Sequence, residues 1–263
     1  MREIFSGDYG IINNSRWEEV AKNVPSGSWA AFHPLVEKIK KTIGSQGKVL
    51  DLGSGLGLFV KCCMENGFMA VALEGSSSAV EWSRRNLGID SRVHNLKDPL
   101  PFADSSFDCI IYNDVYEHVP QYINENVFRE AFRILKPKGV FWVITICRYD
   151  FVEARELEHI NLTTPSELYR FGEKIGFSGT VKLNNFNITL FTPYFYDREL
   201  KFSPLKKKIR DWSKRNQRKI DFVLAPFWIP VSLLNSKFLH LPALDLLSHK
   251  SEVVFRKIKT TLR

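Results

Sequence analysis

The sequence has little of what builds metal centres, disulfide frameworks or membrane spans. Its four cysteines, Cys62, Cys63, Cys109 and Cys147, include no C-x-x-C spacing. Each falls in or beside an apolar run, where cysteine behaves as a small hydrophobe. The six histidines form no H-x-x-x-H pair and no cluster with cysteine, so no metal site is expected. The longest uncharged run of the apolar segment 222–248, Phe222 to Ser236, is 15 residues and holds Pro226 and Pro230. A spanning helix wants about 20 apolar residues, which excludes a transmembrane reading of this segment. The first ten residues already carry Arg2, Glu3 and Asp8, unlike a secretory leader, so a cytoplasmic protein is expected.

What is present is a chain of 263 residues, 44% hydrophobic and 13% aromatic, enough for one elaborated domain with a sizeable core. The net charge of +8 is concentrated: residues 198–220 hold ten Lys or Arg against Glu199 and Asp211, a surplus equal to that of the whole chain. This basic stretch precedes the mostly apolar residues 222–248. Together they suit either a cover over a substrate pocket or a peripheral contact with anionic membrane. A nucleic-acid contact is the weaker reading, because aromatic interleaving stops at Trp212 and no RNA-binding motif accompanies it.

The most informative stretch is Val49-Leu50-Asp51-Leu52-Gly53-Ser54-Gly55-Leu56-Gly57. An apolar run followed by closely spaced glycines reads as a buried strand turning tightly into a helix, with backbone free to approach a ligand. A dinucleotide fingerprint, G-x-G-x-x-G, would need a third glycine at position 58, which is Leu58. Asp51 would repel a pyrophosphate and suits a ligand with an ammonium or sulfonium group.

With these features D-L-G-S-G-x-G resembles motif I of the class I S-adenosylmethionine-dependent methyltransferases, in their small-molecule, type 11/12-like branch. Four further segments follow in the family's order: Ala70-Val71-Ala72-Leu73-Glu74, Leu100 to Ile111, Asn113-Asp114-Val115-Tyr116-Glu117-His118-Val119, and Leu135-Lys136-Pro137-Lys138-Gly139. The resemblance implies a doubly wound, Rossmann-like α/β sheet of seven strands in the order 3-2-1-4-5-7-6, with strand 7 antiparallel. It implies S-adenosyl-L-methionine as cofactor. Its contacts would be Asp51 on the ammonium, Gly53, Ser54 and Gly55 along the methionine part, and Glu74 with Gly75 at the ribose. Asn95 and Leu96 would sit by the adenine, and Asn113 near the reacting methyl. Gly57 serves either the ligand or close helix packing. His118 and His159 are the candidate bases if the acceptor must lose a proton; Asp114 and Glu117 read as helix-start or pocket-lining acids. The tetrapeptide Asn-Pro-Pro-Tyr of amino-methylating enzymes is absent, which favours O- or C-methylation of a small-molecule, lipid- or sugar-linked acceptor. An RNA-modifying or nucleic-acid-binding protein using residues 198–220, or an NAD-dependent oxidoreductase, are the alternatives.

Strands are expected near 48–52, 69–74, 91–95, 107–113 and 139–146, and helices near 57–66, 77–87 and 123–135. Residues 15–43 read as helical pieces interrupted at Pro25 and Pro34, within an N-terminal lid of residues 1–45; Tyr9, Trp17, Trp29 and His33 are its candidate pocket residues. Thr164, Pro165 and Glu167 form a capping-box start to a helix that Gly176 ends. Residues 179–191 supply the sixth strand. The seventh is placed at Glu252–Ile258, which divides the core into 46–191 and 249–263 around an insertion at 192–248.

Overall fold

A computed structural model describes residues 14–148, 158–186 and 248–257 of the chain. Helix α1 (Asn14–Lys22), a 3-10 turn at Ser28–Phe32 and α2 (His33–Ile43) precede β1 (Lys48–Leu52), α3 (Leu58–Glu65), β2 (Met69–Glu74), α4 (Ser77–Leu87) and β3 (Asp90–Val93). Then come β4 (Phe107–Asn113), a 3-10 turn at Tyr116–His118, α5 (Gln121–Ile134), β5 (Leu135–Ile146), α6 (Pro165–Ile175), β6 (Phe177–Phe186) and β7 (Ser248–Lys257). The seven strands form one sheet in the order β3-β2-β1-β4-β5-β7-β6. The first five pair in parallel, and β7 runs antiparallel between β5 and β6.

Strands of a parallel sheet are covered on both faces, so they are apolar almost throughout, and their side chains alternate between two cores. In β1, Leu50 and Leu52 join a core with Tyr112, Phe128 and Phe141, beneath α5 and α6. Val49 joins the opposite core with Val36, Ile39 and Val60, beneath α2 and α3. Asp51 shares the parity of Val49 and is 5% exposed.

Helix starts follow local chemistry. The Ser76 hydroxyl accepts from the Ala79 amide at 3.2 Å and caps α4. At α6, the Glu167 amide donates to the Thr164 hydroxyl and the Thr164 amide to the Glu167 carboxylate, completing the expected capping box. Gly176, in the left-handed region, closes that helix. Pro34 does not interrupt a helix as expected; it sits in the first turn of α2, where its missing N–H costs nothing. Strand β3 starts at Asp90 and ends at Val93, two residues short of expectation. Strand β5 begins at Leu135, four residues early, because the chain pairs with Phe107, bulges through Pro137 and Lys138, and resumes opposite Cys109.

The last two strands carry the longest-range pairing. Val140–Ile146 lie opposite Arg256–Lys250, and Phe177–Phe186 opposite Lys257–Ser248. Phe255 packs edge-on to Phe128 at 5.5 Å between ring centres and lies 5.4 Å from Phe177. Gly172 makes room for it: a Cβ there would stand 2.1 Å from the Phe255 ring. The seventh strand expected at 252–258 is therefore present and begins earlier, at Ser248. Tyr9, the basic run 198–220 and the rest of the insertion up to 247 lie outside the described residues, as does the far end of the strand expected at 179–191.

Candidate cofactor and acceptor site

The glycine turn leaves β1 with Gly53 at φ 72° and Gly55 at φ 53°, a conformation that side-chain-bearing residues adopt only with strain. The Gly53 and Ser54 amides donate to the Leu73 carbonyl at 2.8 and 3.1 Å, which ties the turn to the end of β2. Two side chains close on it. A Cβ on Gly53 would lie 2.5 Å from Val115, and one on Gly55 would lie 2.5 Å from the Trp17 indole. Gly57 serves packing, since a Cβ there would meet Ile89 at 2.2 Å. Of the expected lid residues that are described, Trp17 alone reaches this turn. The Trp29 indole donates to Glu65 at 2.7 Å and His33 lies beside Asn66, both at the far end of α3.

Buried carboxylates dominate the turn's electrostatics. The Glu74 carboxylate is 1% exposed; it accepts from the Gly55 amide at 2.7 Å and the Ser76 amide at 2.9 Å. Burial raises its pKa, and the backbone donors Ser76, Gly55 and Gly75 oppose that rise. These bonds occupy one site on each oxygen and leave acceptor capacity for ligand hydroxyls. They also give Glu74 a second task that the sequence did not suggest, which is to clamp the glycine turn to the start of α4. For Asp51, burial and then repulsion from Glu74 push the pKa to about 8. A cationic group brought to it would reverse the second cause and offset the first. The Ser54 hydroxyl and the Trp17 indole N–H are both buried with no hydrogen-bond partner among the described residues. Buried polar atoms are seldom left in that state, so a polar ligand at this turn would complete them.

Elsewhere the candidate residues are spread along the carboxyl edge of the sheet. Asn95 makes a local turn, its side chain accepting from the Lys97 amide at 3.0 Å, while Leu96 packs on the core. Asn113, ending β4, donates to Asp114 at 3.1 Å. Asp114 has φ 54° and pairs with Lys250 at 2.6 Å. That sharp turn directs Val115 onto Gly53 and brings Glu117 inward. The His118 and His159 rings meet at 4.9 Å between centres, although 40 residues of chain separate them. The Ile160 and Asn161 amides both donate to the Glu117 carbonyl, at 2.9 and 3.0 Å, and this joins the two loops. Glu117, expected as a helix-start or pocket-lining acid, is 1% exposed and takes a 2.7 Å bond from Thr145. No sequence signal singles out Thr145, which lies on a strand read simply as core.

Comparison with known proteins bears on the fold and on the segment that carries this turn. Residues 50–143 match the family model described as a methyltransferase domain, Methyltransf_11. The ubiquinone/menaquinone biosynthesis C-methyltransferase of Haemophilus ducreyi is 32% identical over 107 residues, covering 37% of this chain and 40% of that protein. The sterol 24-C-methyltransferase of Aspergillus fumigatus is 31% identical over 131 residues, covering 46% of this chain and 33% of that protein. The chain thus spans half or less of the length of these two relatives. Among solved structures, a SAM-dependent methyltransferase from Archaeoglobus fulgidus superimposes with a TM-score of 0.59 at 13% identity, over 95% of this chain and all of that one. The matched segment carries a methyltransferase domain, and the sheet around it has the fold of the superimposed methyltransferase. Residues 50–143 are a methyltransferase domain of the type 11 branch, and S-adenosyl-L-methionine is its cofactor.

Proposed function

We propose that this protein transfers the methyl group of S-adenosylmethionine to an oxygen or carbon of a small, largely apolar acceptor. The observation that carries the reading is Asp51, a buried carboxylate beside a left-handed glycine turn, with a pKa raised to about 8 by burial and by the Glu74 charge. When bound, the sulfonium supplies a methyl group that is already activated. The protein's part is positioning and exclusion of water. Asp51 would hold the ammonium end, Glu74 the ribose hydroxyls and Ser54 a carboxylate oxygen, while Trp17 closes over Gly55 and shuts out solvent. Asn113 would lie beside the transferred methyl, and Asn95 with Leu96 beside the adenine.

The acceptor side would be formed by the loops after β4 and β5, where His118 and His159 meet. Relatives named for quinone and sterol methylation support a small-molecule acceptor. Among the described residues no helix is long and apolar enough to cross a membrane. Residues 198–248 would then bring the site to an anionic lipid surface or cover an apolar acceptor. Calorimetry with S-adenosylmethionine and S-adenosylhomocysteine tests the core of the reading: micromolar binding of either supports it, and binding of neither overturns it. Flotation with anionic vesicles, compared between the full chain and a variant with Lys206, Lys207 and Lys208 changed to Ser, tests the membrane contact.

A further inference from the structure

Glu117, His118 and His159 offer one carboxylate and two imidazole donors whose ligating atoms all lie within 4.8 Å of one another. The surroundings of Glu117 and His118 match what a metal ligand needs. Glu117 is 1% exposed, yet no lysine or arginine among the described residues pairs with it; the charged groups that face it are His118 and Asp114, and Asp114 is itself paired with Lys250. A buried carboxylate in that position calls for a cation. One of its oxygens is fixed by Thr145 at 2.7 Å, and a carboxylate oxygen stands within 4.8 Å of a ring nitrogen of each histidine. His118 places Nδ1 3.2 Å from the Glu158 carbonyl. With the proton on Nδ1 donated there, Nε2 is left as the lone-pair nitrogen, the arrangement found behind most metal-bound histidines.

We infer that Glu117, His118 and His159 form a binding site for a divalent first-row transition-metal ion on the acceptor side of the glycine turn. Two imidazoles and a carboxylate suit Zn2+, Mn2+ or Fe2+ far better than Mg2+ or Ca2+, which prefer all-oxygen sets. An ion about 2.1 Å from each donor needs donors no farther apart than about 4.2 Å. The half-buried histidine rings therefore swing in by less than about an ångström. Three protein ligands leave coordination positions open. Val115, two residues before Glu117, contacts Gly53, so the site neighbours the turn that would hold the methyl donor. An acceptor carrying a hydroxyl, or two adjacent ones, is the ligand class those positions would take. This last step rests on the methyltransferase reading; the metal site does not. It also changes the role of the two histidines from proton acceptors to ligands.

The test uses the full chain, stripped with chelator and titrated with Co2+ followed by Zn2+, under visible absorption and calorimetry. One equivalent of Co2+ with visible d–d bands, displaced by Zn2+, is expected. His118→Ala and His159→Ala should each weaken uptake by at least about tenfold, and Thr145→Val by a similar or smaller factor. Far-UV circular dichroism and S-adenosylhomocysteine affinity should be unchanged in all three. Absence of stoichiometric uptake by the unmodified protein, or uptake unaffected by either histidine change, overturns the site. Metal uptake without S-adenosylhomocysteine binding would instead sink the methyltransferase reading while leaving the metal site standing.

Discussion

The two halves of the sheet are assembled over very different lengths of chain. On one side, β1, β2 and β3 follow one another through α3 and α4, and the glycine turn, Asp51 and Glu74 all come from residues 51 to 76. On the other side, β7 must return from beyond residue 247 to lie between β5 and β6. The contrast shows a division of labour. The donor side depends on short turns whose chemistry is written in consecutive residues. The far side depends on packing between segments that meet only in the folded state, and it carries more of the aromatic core.

If that division holds, damage to the far side should abolish folding, and damage to the near side should abolish binding with folding retained. The largest effect is expected from deleting residues 249–263, which removes β7 from the middle of three strands. Cooperative thermal unfolding should disappear, and with it S-adenosylhomocysteine binding; a truncated chain that still melts cooperatively would show the halves to be separable. Next, Phe255→Ala should cost about 3–5 kcal/mol in urea unfolding, because it empties a site lined by Phe128, Phe141 and Phe177.

On the near side, Asp51→Asn should weaken S-adenosylmethionine binding by about 1.5–3 kcal/mol, the worth of a hydrogen bond to a charged group. The sign for stability is opposite. The folded pKa of about 8 lies above an unfolded value near 3.9, so the folded state binds the extra proton and the ligand-free protein loses stability as pH rises from about 4 to about 8. The Asn variant lacks that loss and should melt higher than the parent at pH 8. The same pKa makes binding release close to one proton at pH 7. Affinity should therefore rise by up to about tenfold from pH 6 to pH 7, and calorimetry in buffers of different ionisation enthalpy measures the proton directly. The smallest effect is expected at Trp29→Phe, which removes an exposed 2.7 Å bond to Glu65 and should cost no more than about 1 kcal/mol with no change in binding.

Much of this was legible in the sequence for physical reasons that can be named. Buried parallel strands must be apolar, tight turns need glycine, and a capping box announces itself at Thr164 and Glu167; strand order was implied by the family resemblance, which also called for a late seventh strand. The metal triad was not legible, because H-x-x-x-H and Cys/His spacings detect ligands on one helix or one loop. His118 and His159 stand on two loops that meet only in the folded chain, where the Ile160 and Asn161 amides bond the Glu117 carbonyl and the Asn161 side chain bonds Val119 and Gln121. The early start of β5 was hidden as well. Nothing in Lys136-Pro137-Lys138-Gly139 reveals that a bulge lets the strand pair with Phe107 before the turn and with β4 after it.

By itself, the sequence determined the strands and the make-up of the turn after β1, since Asp51, the glycines and Glu74 are placed by short-range geometry. The tertiary structure decided what surrounds that edge. It set the Trp17 indole over Gly55, Val115 on Gly53, the shared burial that raises the Asp51 pKa, and the meeting of Glu117, His118 and His159. Those outcomes depend on which distant groups are neighbours and on how much water is excluded between them, and neither quantity is a property of any local stretch of chain.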